Sequence, residues 1–133
     1  MEKYIYRCKL DRVIDGDTVD AMIDVGFDIW IKRRIRFKGM NAWESRTRNL
    51  NEKALGLAAK KRLIELLTEV SSKPNFFRIK SYGEGKYGRV LAELFIMDND
   101  GNVININETL IAEGHAHEYD GGKRKEFKWK YFA

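Results

Sequence analysis

The chain has 133 residues, 44% of them apolar, which suits one compact domain and leaves little room for a second. Its 25 lysines and arginines against 20 aspartates and glutamates give a formal charge of +5, which favours a polyanionic partner over an acidic or neutral one. No segment is long and apolar enough to span a bilayer, no basic amphipathic helix dominates, and the single cysteine, Cys8, excludes an intrachain disulfide. Charges run through Met1 to Leu10 without a signal-peptide core, so the expected location is cytoplasmic or otherwise intracellular.

From Tyr4 to Ile14 the pattern is strand-like, with Tyr4, Tyr6, Cys8 and Leu10 on one face. Asp15-Gly16 signals a turn, and alternation resumes with Val19, Ala21, Ile23 and Val25 facing one way and Asp20, Met22 and Asp24 the other. A third strand follows Gly26. Ile29, Ile31, Ile35 and Phe37 form its apolar face, Trp30, Lys32, Arg34 and Arg36 the opposite one, and Arg33 marks an edge or a bulge. The period then changes. Leu55, Ala58, Ala59, Leu63, Leu66, Leu67 and Val70 make a helical stripe, Asn49 with Glu52 is read as its cap, and Gly56 inside it costs about 1 kcal/mol against alanine. Two more strands, Phe76 to Tyr82 and Val90 to Met97, flank a glycine-rich loop at 83–88. A turn at Asp98 to Gly101, a short helix from Asn107 to Glu113 and a basic helix from Lys123 to Tyr131 complete the expected elements. Three strands, a helix and two strands is the order of a five-stranded oligonucleotide-binding (OB-fold) Greek-key barrel. The expected class is therefore α+β, barrel-dominated, with about three helices in a single domain over residues 1–133.

Three short segments carry residues suited to phosphodiester chemistry. In Ile14-Asp15-Gly16-Asp17-Thr18-Val19 two carboxylates flank a glycine, which reads either as an Asp-Gly turn or as a source of oxygen ligands for a hard cation. Arg36 is followed by Asn41 and Glu44: a guanidinium, an amide oxygen and a carboxylate able to orient or deprotonate a water, or else a solvated strand face and a first helical turn. Lys86-Tyr87-Gly88-Arg89 offers an arginine for a phosphate beside a tyrosine for a base, or an ordinary hairpin loop.

In this order these segments resemble the staphylococcal nuclease (thermonuclease) family, with Asn107-Glu108-Thr109-Leu110 and Glu113-Gly114 similar to its later helix. The resemblance implies a calcium-dependent nuclease cutting DNA and RNA to leave 3′-phosphates. It implies Asp17, Asn41 and the carbonyl of Ala42 at the calcium ion, with Asp15 and Thr18 supporting them. Glu44 resembles the residue that positions the attacking water, and Arg36 and Arg89 the two arginines on the scissile phosphate. Lys86 and Tyr87 resemble the nucleotide end of the pocket, and Tyr119 and Lys123 fall in the stretch resembling the substrate-side loop. Two departures stand out: the family's Asp-Thr-Pro-Glu run is here Asn41-Ala42-Trp43-Glu44, so one carboxylate becomes an amide and a rigid proline becomes a possible stacking surface. A DNA or RNA substrate, no membrane and a monomeric state are the expectations, and no protein partner is inferable from the sequence. The rival reading is a barrel that binds nucleic acid or protein without cutting. His115 and His117 have metal-ligand spacing, but no second ligand cluster lies near them, and they read as groove-side or surface residues.

Overall fold

Apolar side chains at every second position make five strands that each have one face to hide, and curling the sheet until its ends meet hides them all. The computed structural model describes residues 4–119. Its long strands are β1 (Tyr4–Asp15), β2 (Thr18–Asp24), β3 (Trp30–Phe37), β5 (Phe76–Glu84) and β6 (Val90–Met97), and its short ones are β4 (Met40–Ala42), β7 (Val103–Asn105) and β8 (Ala116–Glu118). The sheet order is β3-β2-β1-β5-β6-β7, and a parallel pairing of Ile35, Arg36 and Phe37 with Val90, Leu91 and Ala92 joins β3 to β6 and closes the barrel. Strand β1 belongs to both halves, since Lys9 pairs with Met22 of β2 and with Phe76 of β5. Register shifts between Leu10 and Arg12 and between Val13 and Asp15 bend it, as bulges do.

The barrel interior holds Cys8, Val19, Ala21, Ile35, Phe37, Ile79, Ala92 and Leu94. Helix α1 (Leu50–Glu65) contributes Ala59 and Leu63 to this core, and the wider π turn Leu66–Val70 that extends it contributes Leu66 and Leu67. Helix α2 (Ile106–Ala112) contributes Ile106 and Leu110. The expected barrel class is thus realised with two α-helices among the described residues. The expected basic helix from Lys123 to Tyr131 lies outside them.

Several local expectations change in the fold. Asp20, on the nominally solvated face of β2, is buried because Arg34 and Arg12 close over its carboxylate at 2.8 and 3.2 Å. Val25 and Ile29 are exposed rather than internal, because β2 ends at Asp24 and Gly26, Phe27 and Asp28 turn with positive φ. Arg33 pairs regularly with Ala21, so it marks an edge and not a bulge: β6 meets β3 only from Ile35 onward. Ala58 is exposed, and Gly56 takes its place on the buried face of α1. Helix α2 starts at Ile106, one residue before the expected Asn107, and is capped by the Asn105 side chain. Asn107 is buried, accepting from Leu94 N at 3.1 Å and donating to Lys38 O at 2.9 Å, which ties α2 to the barrel.

Candidate active site

The turn between β1 and β2 presents Asp15 and Asp17 beside β4, and glycine makes that approach possible. A methyl at Gly16 would lie 2.8 Å from the Ala59 Cβ and 2.9 Å from the Ala42 Cβ. Asp17 is buried and both of its carboxylate oxygens are hydrogen-bonded: Oδ1 accepts from Thr18 Oγ1 at 2.8 Å and Oδ2 from the Ala42 amide at 2.9 Å. Thr18 thus supports Asp17 directly. Asp15 supports a different neighbour, accepting from the Ser45 hydroxyl at 2.6 Å. These two bonds fix both ends of the 42–45 loop to the β1–β2 corner.

Arg36, half-buried at the end of β3, is held by the same corner. Its Nη1 donates to Met40 O at 3.0 Å and Phe37 O at 3.2 Å and lies 3.5 Å from Asp17 Oδ2, while Nη2 donates to Asn41 Oδ1. One guanidinium therefore touches both Asp17 and Asn41. Arg89 immediately precedes Val90, the cross-strand partner of Ile35, so both arginines rise from the seam that closes the barrel. The Arg89 guanidinium carbon is 5.5 Å from the centre of the Tyr87 ring, and Tyr87 is 92% exposed at φ 63°. An exposed ring beside a guanidinium suits a base and its phosphate. Lys86 belongs to the same one-turn 3₁₀ segment, Lys86–Gly88.

Glu44 is half-buried, and both its backbone and its side chain are tied to neighbouring segments. The Glu44 amide donates to Glu52 Oε1 at 3.4 Å, its own Oε1 accepts from Arg46 N at 3.4 Å, and Gly56 of α1 packs against its carbonyl. Asn49 caps the helix by accepting from the Asn51 and Glu52 amides, both at 3.1 Å, and Glu52 Oε1 in turn accepts from the Glu44 amide.

Trp43 is not a stacking surface for substrate. It is 2% exposed, donates from Nε1 to Gly114 O at 3.2 Å, and packs on His117 with ring centres 5.0 Å apart. The backbone constraint that proline would give is supplied here by a buried ring. His117 lies in β8, opposite Asn41. His115 stands apart, 3.8 Å from Glu113, with its pKa lowered by burial against the opposing pull of that carboxylate. Tyr119 donates its amide to Gly39 O at 2.9 Å, which places it beside the β3–β4 turn next to the site. Lys123 lies outside the described residues.

The structure therefore brings together Asp15, Asp17, Thr18, Arg36, Asn41, Ala42 and Glu44, with Arg89 and Tyr87 at the adjoining seam. Sequence reasoning missed Ser45, Gly56 and the Trp43–His117 contact. Only the glycine inside a helical stripe offered a signal. In comparison with known sequences, the pattern of the staphylococcal nuclease homologue family matches residues 34–131. The chain belongs to the staphylococcal nuclease homologue family. It is also 32% identical over 130 residues to an uncharacterized protein of Methanocaldococcus jannaschii, with 86% of this chain covered. The chain spans 59% of the length of that relative.

Calcium, the ion this family implies, requires oxygen ligands. Asp17 Oδ2, Asn41 Oδ1 and the Ala42 carbonyl are donors of that kind on adjoining segments, and Asp17 and Asn41 are bridged by one cationic group, Arg36. Among the described residues no three His, Cys, Asp or Glu side chains gather as a metal cluster, and residue 41 offers an amide oxygen in place of a carboxylate. The donors fit a hard cation held at low ligand charge.

Proposed function

We propose that the chain is a calcium-dependent nuclease that hydrolyses phosphodiester bonds of DNA or RNA by in-line attack of water, leaving 3′-phosphates. The observation that carries this reading is the contact of Arg36 with both Asp17 and Asn41, on a corner that also anchors the Glu44 loop. A calcium ion held by Asp17, Asn41 and the Ala42 carbonyl would supply Lewis-acid stabilisation of the developing phosphorane charge.

The remaining chemistry belongs to the side chains. Arg36 and Arg89 donate N–H groups to the non-bridging oxygens of the phosphate, and their charge counts most as the five-coordinate state forms. Glu44 accepts a hydrogen bond from the attacking water, aligns it opposite the leaving 5′ oxygen and can take its proton. Lys86, Tyr87, Tyr119 and Lys123 serve the nucleotide on either side of the scissile bond. Single-stranded or frayed substrate is favoured, since the phosphate has to reach side chains on the flank of a barrel.

One observation favours a second reading, a module that binds nucleic acid without cutting: Asn41 has no charge to offer a cation, and its oxygen already accepts from Arg36. Digestion of labelled single-stranded DNA and RNA with calcium, with magnesium and with chelator separates the two. Calcium-dependent cleavage to 3′-phosphates, abolished in Glu44→Gln, supports the nuclease. Salt-sensitive binding without cleavage under any ion would overturn it in favour of the binding module.

A further inference from the structure

The outer face of β3 carries Trp30, Lys32, Arg34 and Arg36 at alternate positions, so a row of three cations ending in an aromatic ring leads away from the site. At the strand rise of about 3.3 Å per residue this row is about 20 Å long. Lys32 and Arg34 hold Asp11 and Asp20 at 3.0 and 2.8 Å, yet their side chains remain 61% and 45% exposed and within reach of a passing phosphate.

At the far end, Trp30 is one wall of a cavity of about 440 Å³ that is also lined by Phe76, Phe95, Arg7, Lys73 and Arg78. That volume falls within the range of small-ligand pockets, about 300–1,000 Å³. The lining contains three cations and no carboxylate. Arg7 is paired with Asp24 at 2.7 Å, and Lys73 lies 4.2 Å from the centre of the Phe76 ring. Arg78 is the direct cross-strand partner of Arg7. Like charges placed opposite one another on a sheet are destabilising; Asp24 offsets the charge of Arg7, and an anion beside Arg78 would offset the second.

We propose that this cavity is a second nucleotide subsite, taking a base against Trp30 and its phosphate on Arg78 and Lys73. The base belongs to the same single strand whose scissile phosphate lies at Arg36, with the intervening phosphates following Arg34 and Lys32. The inference rests on the nucleic-acid reading of the active site and extends it: the substrate class is a single-stranded polynucleotide long enough to cover about 20 Å, or about six nucleotides at a stacked rise of 3.4 Å. Charge complementarity and continuity with the Arg36 end select this occupant over an apolar peptide.

The test measures binding in the Glu44→Gln background, so that cleavage does not interfere, using a fluorescent dinucleotide and a fluorescent twelve-nucleotide single strand. The longer strand is expected to bind at least tenfold more tightly. Trp30→Ala and Arg78→Ala are each expected to weaken the twelve-mer about tenfold and leave the dinucleotide unchanged, while Trp30→Phe keeps most of the affinity. Arg78→Ala should also lower the salt slope for the twelve-mer by about 0.7, the value of one single-strand phosphate contact. Equal affinity for the two lengths would overturn the proposal. So would unchanged twelve-mer binding in both alanine variants, or an equal loss for both ligands. Active protein that cuts both lengths while Trp30→Ala and Arg78→Ala bind as the parent would sink the subsite and leave the nuclease standing. Protein that never cuts, but shows the length-dependent losses, would do the reverse.

Discussion

Gly56→Ala sets two physical effects against each other. Helix propensity alone says that alanine stabilises an interior helical position by about 1 kcal/mol. The fold says otherwise: a methyl there would lie 2.6 Å from the Glu44 carbonyl carbon, 2.6 Å from the Ser45 nitrogen and 2.7 Å from the Glu44 oxygen. Ordinary contact begins at 3.4 Å, so α1 and the 44–45 backbone have to separate by about 0.8 Å. All three atoms are backbone and cannot rotate away. The cost belongs at the upper end of overpacking, about 3 kcal/mol, which leaves a net destabilisation of about 2 kcal/mol. The displaced segment carries Glu44 and the Ser45 bond to Asp15. Misplacement by about 1 Å can cost on the order of a hundredfold in rate, so the activity loss should exceed what the unfolded fraction accounts for. Urea unfolding followed by circular dichroism gives the first number, and initial rates of single-strand cleavage at a temperature well below the transition give the second. A variant as stable as the parent and fully active would refute the packing argument and return the glycine to a propensity defect.

The remaining predictions are simpler. Asn41→Asp adds a full charge to the oxygen donors, so calcium affinity measured by calorimetric titration should rise by about tenfold; identical affinities would mean that residue 41 does not touch the ion. Arg89→Ala should lower kcat by about 10²–10³ while shifting stability by no more than about 0.5 kcal/mol, and near-full activity would remove Arg89 from the mechanism. The Asp20 carboxyl is held below its ordinary value of 3.8, chiefly by the hydrogen bond from Arg34, with Arg12 adding to it and burial opposing. Because the folded pKa is depressed, this group contributes stability at pH above its unfolded value and loses it as the pH falls through the folded one. Thermal midpoints should therefore drop as pH falls below about 4, and Asp20→Asn should flatten that acid limb; parallel profiles for parent and variant would count against the pairing.

The strands were legible because their signal is local. Alternation in Val19-Asp20-Ala21-Met22-Ile23 needs no distant partner to be read, and the inward side chains Val19, Ala21 and Ile23 join the apolar core, whereas the burial of Asp20 under two arginines was not legible. The short strands β4, β7 and β8 had no such signal, since three residues are too few for a period and β4 pairs with β8 across most of the chain. The same division runs through the site. Its members were named from motif chemistry, but the bonds that assemble them, Asp17 with Ala42, Ser45 with Asp15 and Trp43 with Gly114, join positions 25, 30 and 71 residues apart.

The order of elements pointed to the barrel class, the resemblance of three short segments to the family, and those same segments named the acids, amide and arginines available for phosphodiester chemistry. Each of these is a property of residue type and short-range spacing. Only the tertiary structure decided that Arg36 bridges Asp17 and Asn41, that Trp43 is a buried brace and not a platform, that Asp20 is covered by two arginines, and that Gly16 and Gly56 are required by neighbouring segments. Those outcomes depend on which distant surfaces are pressed together when the sheet closes, and the closure is a property of the whole chain.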